Sequence, residues 1–158
     1  WFVMVLYAPL YWIFPKVEIL LALQSFALAL GVLPLAVIIL RRGGGGLAAL
    51  LFGCAWLLSP ALQNMNLENY HPEVLAAPFL LWSIERADAK KWRGYWIAIG
   101  IALLCKEDVA LTTFMIGCWV FLKNKKAGFI TIMVSLIWFF LCMKVFLPFF
   151  NNEGFLAI

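Results

Sequence analysis

Polar residues are scarce along this chain and fall in short clusters, and the intervals between clusters have the length of helices. Apolar runs cover residues 1–14, 18–40, 47–62, 74–84, 94–105, 109–122 and 127–150. Between them stand Pro15-Lys16, Arg41-Arg42 with glycines at 43–46, a polar stretch at 64–73, a charged stretch at 85–93, Lys106-Glu107-Asp108, a basic stretch at 123–126 and Asn151-Asn152-Glu153. A hydrocarbon core of ~30 Å takes about 20 helical residues to cross. The runs 18–40 and 127–150 meet that length, and Pro34 inside the first is tolerable where neighbouring helices satisfy the freed carbonyl. Pro72 suits the entry to the helix beginning at 74. The expected fold is all-α and polytopic, with about seven transmembrane or half-spanning helices in a single helical domain.

The stretch 94–122 has no Gly or Pro near its charged centre, so local propensity alone permits one helix. Three charges at the centre of a span cost about 2.5–3.5 kcal/mol each, roughly 8 or more together. Twelve Ile, Leu, Val and Phe between Gly94 and Leu122 return only ~0.3–0.6 each, about 5 in all. Two helices with Lys106-Glu107-Asp108 at their outer turn are therefore expected.

Composition fixes the solvent. The chain is 66% hydrophobic and 13% charged, with mean hydropathy +0.99, against roughly 25% charged for a soluble domain. Eight Trp and fourteen Phe exceed what a water-soluble fold of this size hides, so a bilayer is the expected partner of much of the surface. The net charge of +4 is spread over short loops between apolar runs, which is a topology signal and points to no nucleic acid. Trp1 opens inside an apolar run without a basic segment before it, so the chain is expected to be an internal fragment of a longer polytopic protein. Cys54, Cys105, Cys118 and Cys142 lie in or at the end of apolar runs without C-x-x-C spacing, as small hydrophobic fillers do.

With 94–105 and 109–122 as two helices, Arg41, Arg42, Arg86, Lys90, Lys91, Arg93, Lys123, Lys125 and Lys126 fall on one side. These are nine of the twelve Lys and Arg, and the positive-inside rule makes that side cytoplasmic. The expected location is the inner membrane of a prokaryote, with the loops of Arg41, Lys90 and Lys125 inside and the turns of His71 and Lys106 outside. The helices at 47–62, 74–84, 94–105 and 109–122 are shorter than the core, so both outer turns are expected to lie sunk in the outer leaflet.

Two constellations carry candidate chemistry. Glu68, His71 and Glu73, with Asn66 and Tyr70 among their neighbours, form either a solvated loop with Asn side chains capping turns or a pocket supplying a base, a metal ligand or a sugar contact. One histidine argues against zinc, and no cofactor is evident, but a hard divalent cation on carboxylates and carbonyls stays open. Lys106, Glu107 and Asp108 are either an internally satisfied ion cluster or a site at membrane depth, where ionisable residues mark function by default. Lys106 suits a lipid phosphate, and Asp108 suits a base or ligand. Lys144 either adds a second cation there or snorkels to the interface. Trp82, Trp92, Trp96 and Trp138 near segment ends fit an interfacial belt. The glycines at 43–46 lack the Lys-Ser or Lys-Thr of a phosphate loop and form a connector.

The segments Leu-Gln-Ser-Phe-Ala-Leu-Ala-Leu-Gly-Val-Leu-Pro-Leu (23–35), Asn-Leu-x-x-Tyr-His-Pro-Glu (66–73) and Cys-Lys-Glu-Asp-Val-Ala-Leu (105–111) resemble an uncharacterised family of predicted polytopic membrane proteins. It is a domain of unknown function grouped with the C-type (GT-C) glycosyltransferases, and the resemblance runs in order over nearly the whole chain. It implies a helical membrane scaffold that moves sugar from a polyprenyl-phosphate carrier to an acceptor on the non-cytoplasmic face. It also implies Lys106 as the residue approaching the lipid phosphate. Glu68, His71 and Glu73 stand where relatives place an acidic residue before the corresponding hairpin, while the main catalytic acid of those relatives belongs to an earlier outer loop. A transporter and a noncatalytic membrane subunit are the alternatives. Transporters tend to place charges near the midplane on inverted repeats, and no such repeat is found here.

Overall fold

The computed structural model describes residues 12, 17–68 and 72–146, with the side chains of 12, 19–64 and 74–144. The expected helix at 1–14, Trp12 apart, and the last residues of the expected helix at 127–150 lie outside the described residues. Regular structure among those described is helical throughout: α1 Val17–Leu30, α2 Val32–Arg41, α3 Gly46–Leu57, α4 Pro60–Glu68, a 3-10 turn Pro72–Leu75, α5 Ala76–Asp88, α6 Trp92–Cys105, α7 Val109–Phe121, α8 Lys125–Leu141 and a π-helical turn Cys142–Phe146. The chain divides into two compact units, Trp1–Cys105 and Lys106–Ile158.

In the first unit the expected helix at 18–40 is interrupted at Gly31. Pro34 is the cause: its ring crowds the carbonyl of Leu30 four residues back and it donates no hydrogen bond. The Gly31 N–H turns to the Leu28 carbonyl at 3.1 Å, and the Trp56 indole of α3 donates to that same carbonyl at 3.0 Å. A Cβ on Gly31 would stand 3.0 Å from the Trp56 ring, so glycine is what admits the indole. The two halves still form a stretch, Ile19–Arg41, of 23 residues, long and apolar enough to cross a membrane. Its end is closed by a 6→1 bond from Gly44 N–H to Ile39 O at 2.9 Å with Gly43 at φ +84°, the left-handed cap that glycine favours.

The expected helix at 47–62 also breaks, at residues 58–59. Pro60 opens α4 at the position where its missing N–H costs nothing, and it pushes the residue before it out of the helical region. Gln63 Nε2 donates to the Leu57 carbonyl at the end of α3, 3.3 Å away. With no Gly or Pro from 61 to 68, α4 runs on through Asn64, Asn66 and Glu68. The stretch 64–73 is thus helical in its first half, where a loop was expected throughout. A second correction concerns 85–93: α5 continues through Glu85, Arg86 and Asp88, because these charges are paired rather than hydrated, as described below.

The second unit is built on α7 packed against α8 across a link at 122–124. Asn124 Oδ1 accepts from Ala127 N–H at 3.1 Å, capping α8 and starting it at Lys125, two residues before the expected 127. Ala110, Thr113 and Gly117 of α7 and Ala127, Gly128, Thr131 and Ser135 of α8 are buried. Small residues at such intervals let two backbones approach closely, the usual basis of helix association where lipid removes the hydrophobic drive. Thr113 Oγ1 and Ser135 Oγ meet at 2.8 Å. The 20 residues of Lys125–Lys144 form a second stretch long and apolar enough to cross a membrane.

Both units bury small and polar side chains and expose large apolar ones. Gln24, Ser83, Thr113 and Thr131 are fully buried, while Phe52, Ile97, Leu111, Met115 and Ile137 are more than half exposed. Water would penalise such a surface, since soluble proteins seldom expose large contiguous apolar patches. Lipid does not.

Candidate functional site

The residues at 106–108 link α6 and α7. Carbonyls of Lys106, Glu107 and Asp108 accept from the N–H groups of Val109, Ala110 and Leu111 at 3.2, 3.1 and 3.1 Å, so the turn winds directly into the first turn of α7. Glu107 and Asp108 thereby stand at the positive end of the α7 dipole, which favours carboxylates. Lys106 Nζ lies 3.6 Å from Asp108 Oδ2, with the lysine side chain 22% exposed and the aspartate 68%. An exposed pair of this kind contributes little stability. Its effect is positional: it holds an ammonium beside an exposed carboxylate at the start of a helix.

Of the residues singled out in the sequence, the structure brings Lys106 and Asp108 together. Glu107 is half-buried in the same turn, and Lys144 is exposed on the π-helical turn after α8. Asn66 and Glu68 are placed by backbone on α4 and Glu73 on the 3-10 turn, and their side chains lie outside the described residues. Tyr70 and His71 lie outside them altogether. Among the described residues, no three His, Cys, Asp or Glu side chains assemble into a group that could hold a metal ion; the divalent-cation expectation rests on Glu68, His71 and Glu73.

A second polar cluster, inside the first unit, escaped the sequence reading. Glu85 is 1% exposed. Arg41 Nη2 stands 2.7 Å from its Oε1 and Arg86 Nε 2.9 Å from its Oε2, while Arg41 Nη1 also donates to the Glu85 carbonyl at 3.3 Å. Beside it Arg42 Nη2 donates to Asp88 Oδ2 at 2.7 Å. Neither oxygen of Glu85 has a partner at hydrogen-bond angles, so charge proximity is what compensates its burial. The signal was present in the sequence: Arg41-Arg42 and Glu85-x-x-Asp88 end two apolar runs on the same side of the charge map, with opposite signs.

Apolar helices of spanning length, lipid-compatible outer faces and, among the described residues, ion pairs at helix ends define a helical membrane protein. The chain belongs to the family described as predicted membrane protein (DUF2079), which it matches over residues 1–157. Comparison with curated proteins and with solved structures finds no match.

Proposed function

We propose that the protein is part of a C-type (GT-C) glycosyltransferase that moves sugar from a polyprenyl-phosphate donor on the non-cytoplasmic face. The observation that carries the reading is the Lys106–Asp108 pair on a turn between two short apolar helices. At 14 and 13 residues, α6 and α7 are about 21 and 20 Å long, less than the ~30 Å hydrocarbon core. A turn joining such helices suits a lipid-borne substrate, and an ammonium there offsets the charge of a polyprenyl phosphate as it leaves the sugar. In this reading Lys106 anchors the phosphate, with Lys144 as a second cation. On the same turn Asp108 supplies a base or ligand, supported by Glu107; in the other unit Glu68, His71 and Glu73 supply acid, base or metal-ligand chemistry, supported by Asn66 and Tyr70. The His-Pro-Glu and Lys-Glu-Asp motifs resemble those of an uncharacterised membrane-protein family grouped with these enzymes, which supports the same assignment.

The test uses the full-length protein in proteoliposomes with radiolabelled polyprenyl-phosphate sugars. Transfer is expected from the wild type and is expected to fall by about two orders of magnitude in Lys106→Ala and Asp108→Ala, the usual scale for a positioned charge acting on a developing charge. Unchanged transfer in both variants overturns the assignment of the turn. Solute uptake without transfer overturns the enzyme reading in favour of a transporter.

A further inference from the structure

A groove of about 630 Å³ opens between α5 and α6, and it is graded along its length. Phe79, Ile97 and Ile101 line one end, whereas Arg86, Lys91 and Arg93 line the other. Seven residues of α5 separate Phe79 from Arg86, and eight of α6 separate Arg93 from Ile101, so the apolar and cationic ends are about 10–12 Å apart. Trp82 and Trp92 also line the groove; indoles favour the level at which headgroups meet hydrocarbon.

The cationic end is built rather than incidental. Arg86 lies over the Trp82 ring at 5.4 Å and is tied by Nε to buried Glu85. Gly94 makes room for it, since a Cβ there would stand 3.0 Å from Arg86 Cδ. Lys90 adopts φ +56°, and Lys91 N–H closes on the Arg86 carbonyl at 2.9 Å, so a left-handed turn brings Lys91 back beside Arg86. The acids nearby are already committed, Glu85 to Arg41 and Arg86 and Asp88 to Arg42. Lys91 and Arg93 are exposed and, among the described residues, no ion pair holds either. The charges of Lys91 and Arg93 are therefore uncompensated, and the groove beneath them is apolar.

We infer that this groove binds one anionic phospholipid, with its phosphate among Arg86, Lys91 and Arg93 and an acyl chain along Phe79, Ile97 and Ile101. Basic pockets between membrane helices take anionic headgroups in this way. A zwitterionic choline headgroup would bring a cation against cations, and a soluble anion would leave the apolar end unused.

Native mass spectrometry of the delipidated full-length protein, titrated with palmitoyl-oleoyl phosphatidylglycerol and with the matching phosphatidylcholine, tests this. One phosphatidylglycerol is expected to bind roughly ten- to thirtyfold more tightly than phosphatidylcholine, with the preference lost in Lys91→Gln/Arg93→Gln. It is expected to survive in Lys125→Gln/Lys126→Gln, which removes equal charge from the other unit. Ile97→Trp, at an exposed position on the groove wall, is expected to weaken phosphatidylglycerol about tenfold without touching a charge, and it decides the matter if the charge variant does not fold. Equal affinity for the two lipids overturns the proposal. So does equal loss in the Lys125/Lys126 variant, tight binding retained in Ile97→Trp, or full displacement by millimolar inorganic phosphate, which would make the groove a site for soluble anions.

Discussion

Arg41 Nη2 lies 2.7 Å from Glu85 Oε1, joining the last turn of α2 to the C-terminal half of α5 through a carboxylate side chain only 2% exposed. The partners are unequal, because Arg41 is 40% exposed and Arg86, on the other oxygen, 27%. A buried ion pair is weak evidence for stability, but removing one partner strands the other. Leaving the buried carboxylate with Arg86 as its one remaining countercharge is worse here than losing the carboxylate, since the guanidiniums can rehydrate. Arg41→Met is expected to cost about 1–3 kcal/mol, below the range for fully buried pairs because the arginine is partly exposed. Glu85→Met is expected to cost less, and the double variant to recover much of the Arg41→Met loss. Unfolding in mixed micelles with increasing SDS fraction ranks the three; a larger loss for Glu85→Met than for Arg41→Met contradicts the account.

Three glycines allow a sharper ordering. A Cβ on Gly128 would fall 2.3 Å from Phe121 backbone N and Cα, whereas one on Gly117 meets Ile132 N at 3.0 Å and one on Gly100 meets nothing within 4 Å. Backbone cannot step aside as a flexible side chain does. Gly128→Ala is expected to force α7 and α8 apart, costing about 3 kcal/mol or more, and Gly117→Ala about 1–3. Gly100→Ala is expected to be neutral or to gain up to about 1 kcal/mol of helix propensity. The same micelle titration reads all three, and a destabilised Gly100→Ala would contradict the open space on that face of α6.

The hydrophobic runs made most helices legible, because a chain dissolved in lipid must satisfy its backbone within each segment. The structure departs from the pattern of runs where proline interrupts a helix or where a charge is paired at long range. Pro34 is tolerated, since Ile19–Arg41 stays one stretch of spanning length, but the helix is interrupted at Gly31 between Leu30 and Val32; Pro60 divides the run at 47–62 outright. Glu85, Arg86 and Asp88 read as a hydrated loop because their partners Arg41 and Arg42 lie more than forty positions away, a pairing no local pattern shows. The break at Lys106–Asp108 was legible from insertion cost alone. Of the stretch 64–73, the first half proved helical, and Tyr70 and His71 lie outside the described residues.

Lys90 holds φ +56°, a left-handed conformation that costs a residue with a Cβ about 1–2 kcal/mol and that glycine adopts freely. It sits where a helix terminus commonly carries glycine, as Gly43 does at the end of α2. Lys90→Gly is therefore expected to stabilise the protein by about 1 kcal/mol, and Gly43→Ala to destabilise it by a similar amount. Paired denaturation curves check the opposite signs. If both substitutions destabilise, the Lys90 side chain makes a contribution that outweighs the strain of its backbone.

Thr113 and Ser135 give the last expectation, because each hydroxyl has one proton to donate. Thr113 Oγ1 donates to the Ala110 carbonyl at 3.0 Å, so the 2.8 Å contact with Ser135 is served by the serine proton. Ser135→Ala removes only that interhelical bond. Thr113→Val removes both bonds and leaves the buried Ser135 hydroxyl to find another acceptor, so it is expected to cost more. The coupling energy from the double-mutant cycle is expected near 0.6 kcal/mol and no more than about 1.7, the range for interhelical hydrogen bonds in membranes. Thr113→Ser keeps both bonds and is expected to lose only the methyl contact. If Ser135→Ala proves the costlier single change, the proton assignment is reversed, and Thr113 is the donor across the α7–α8 interface.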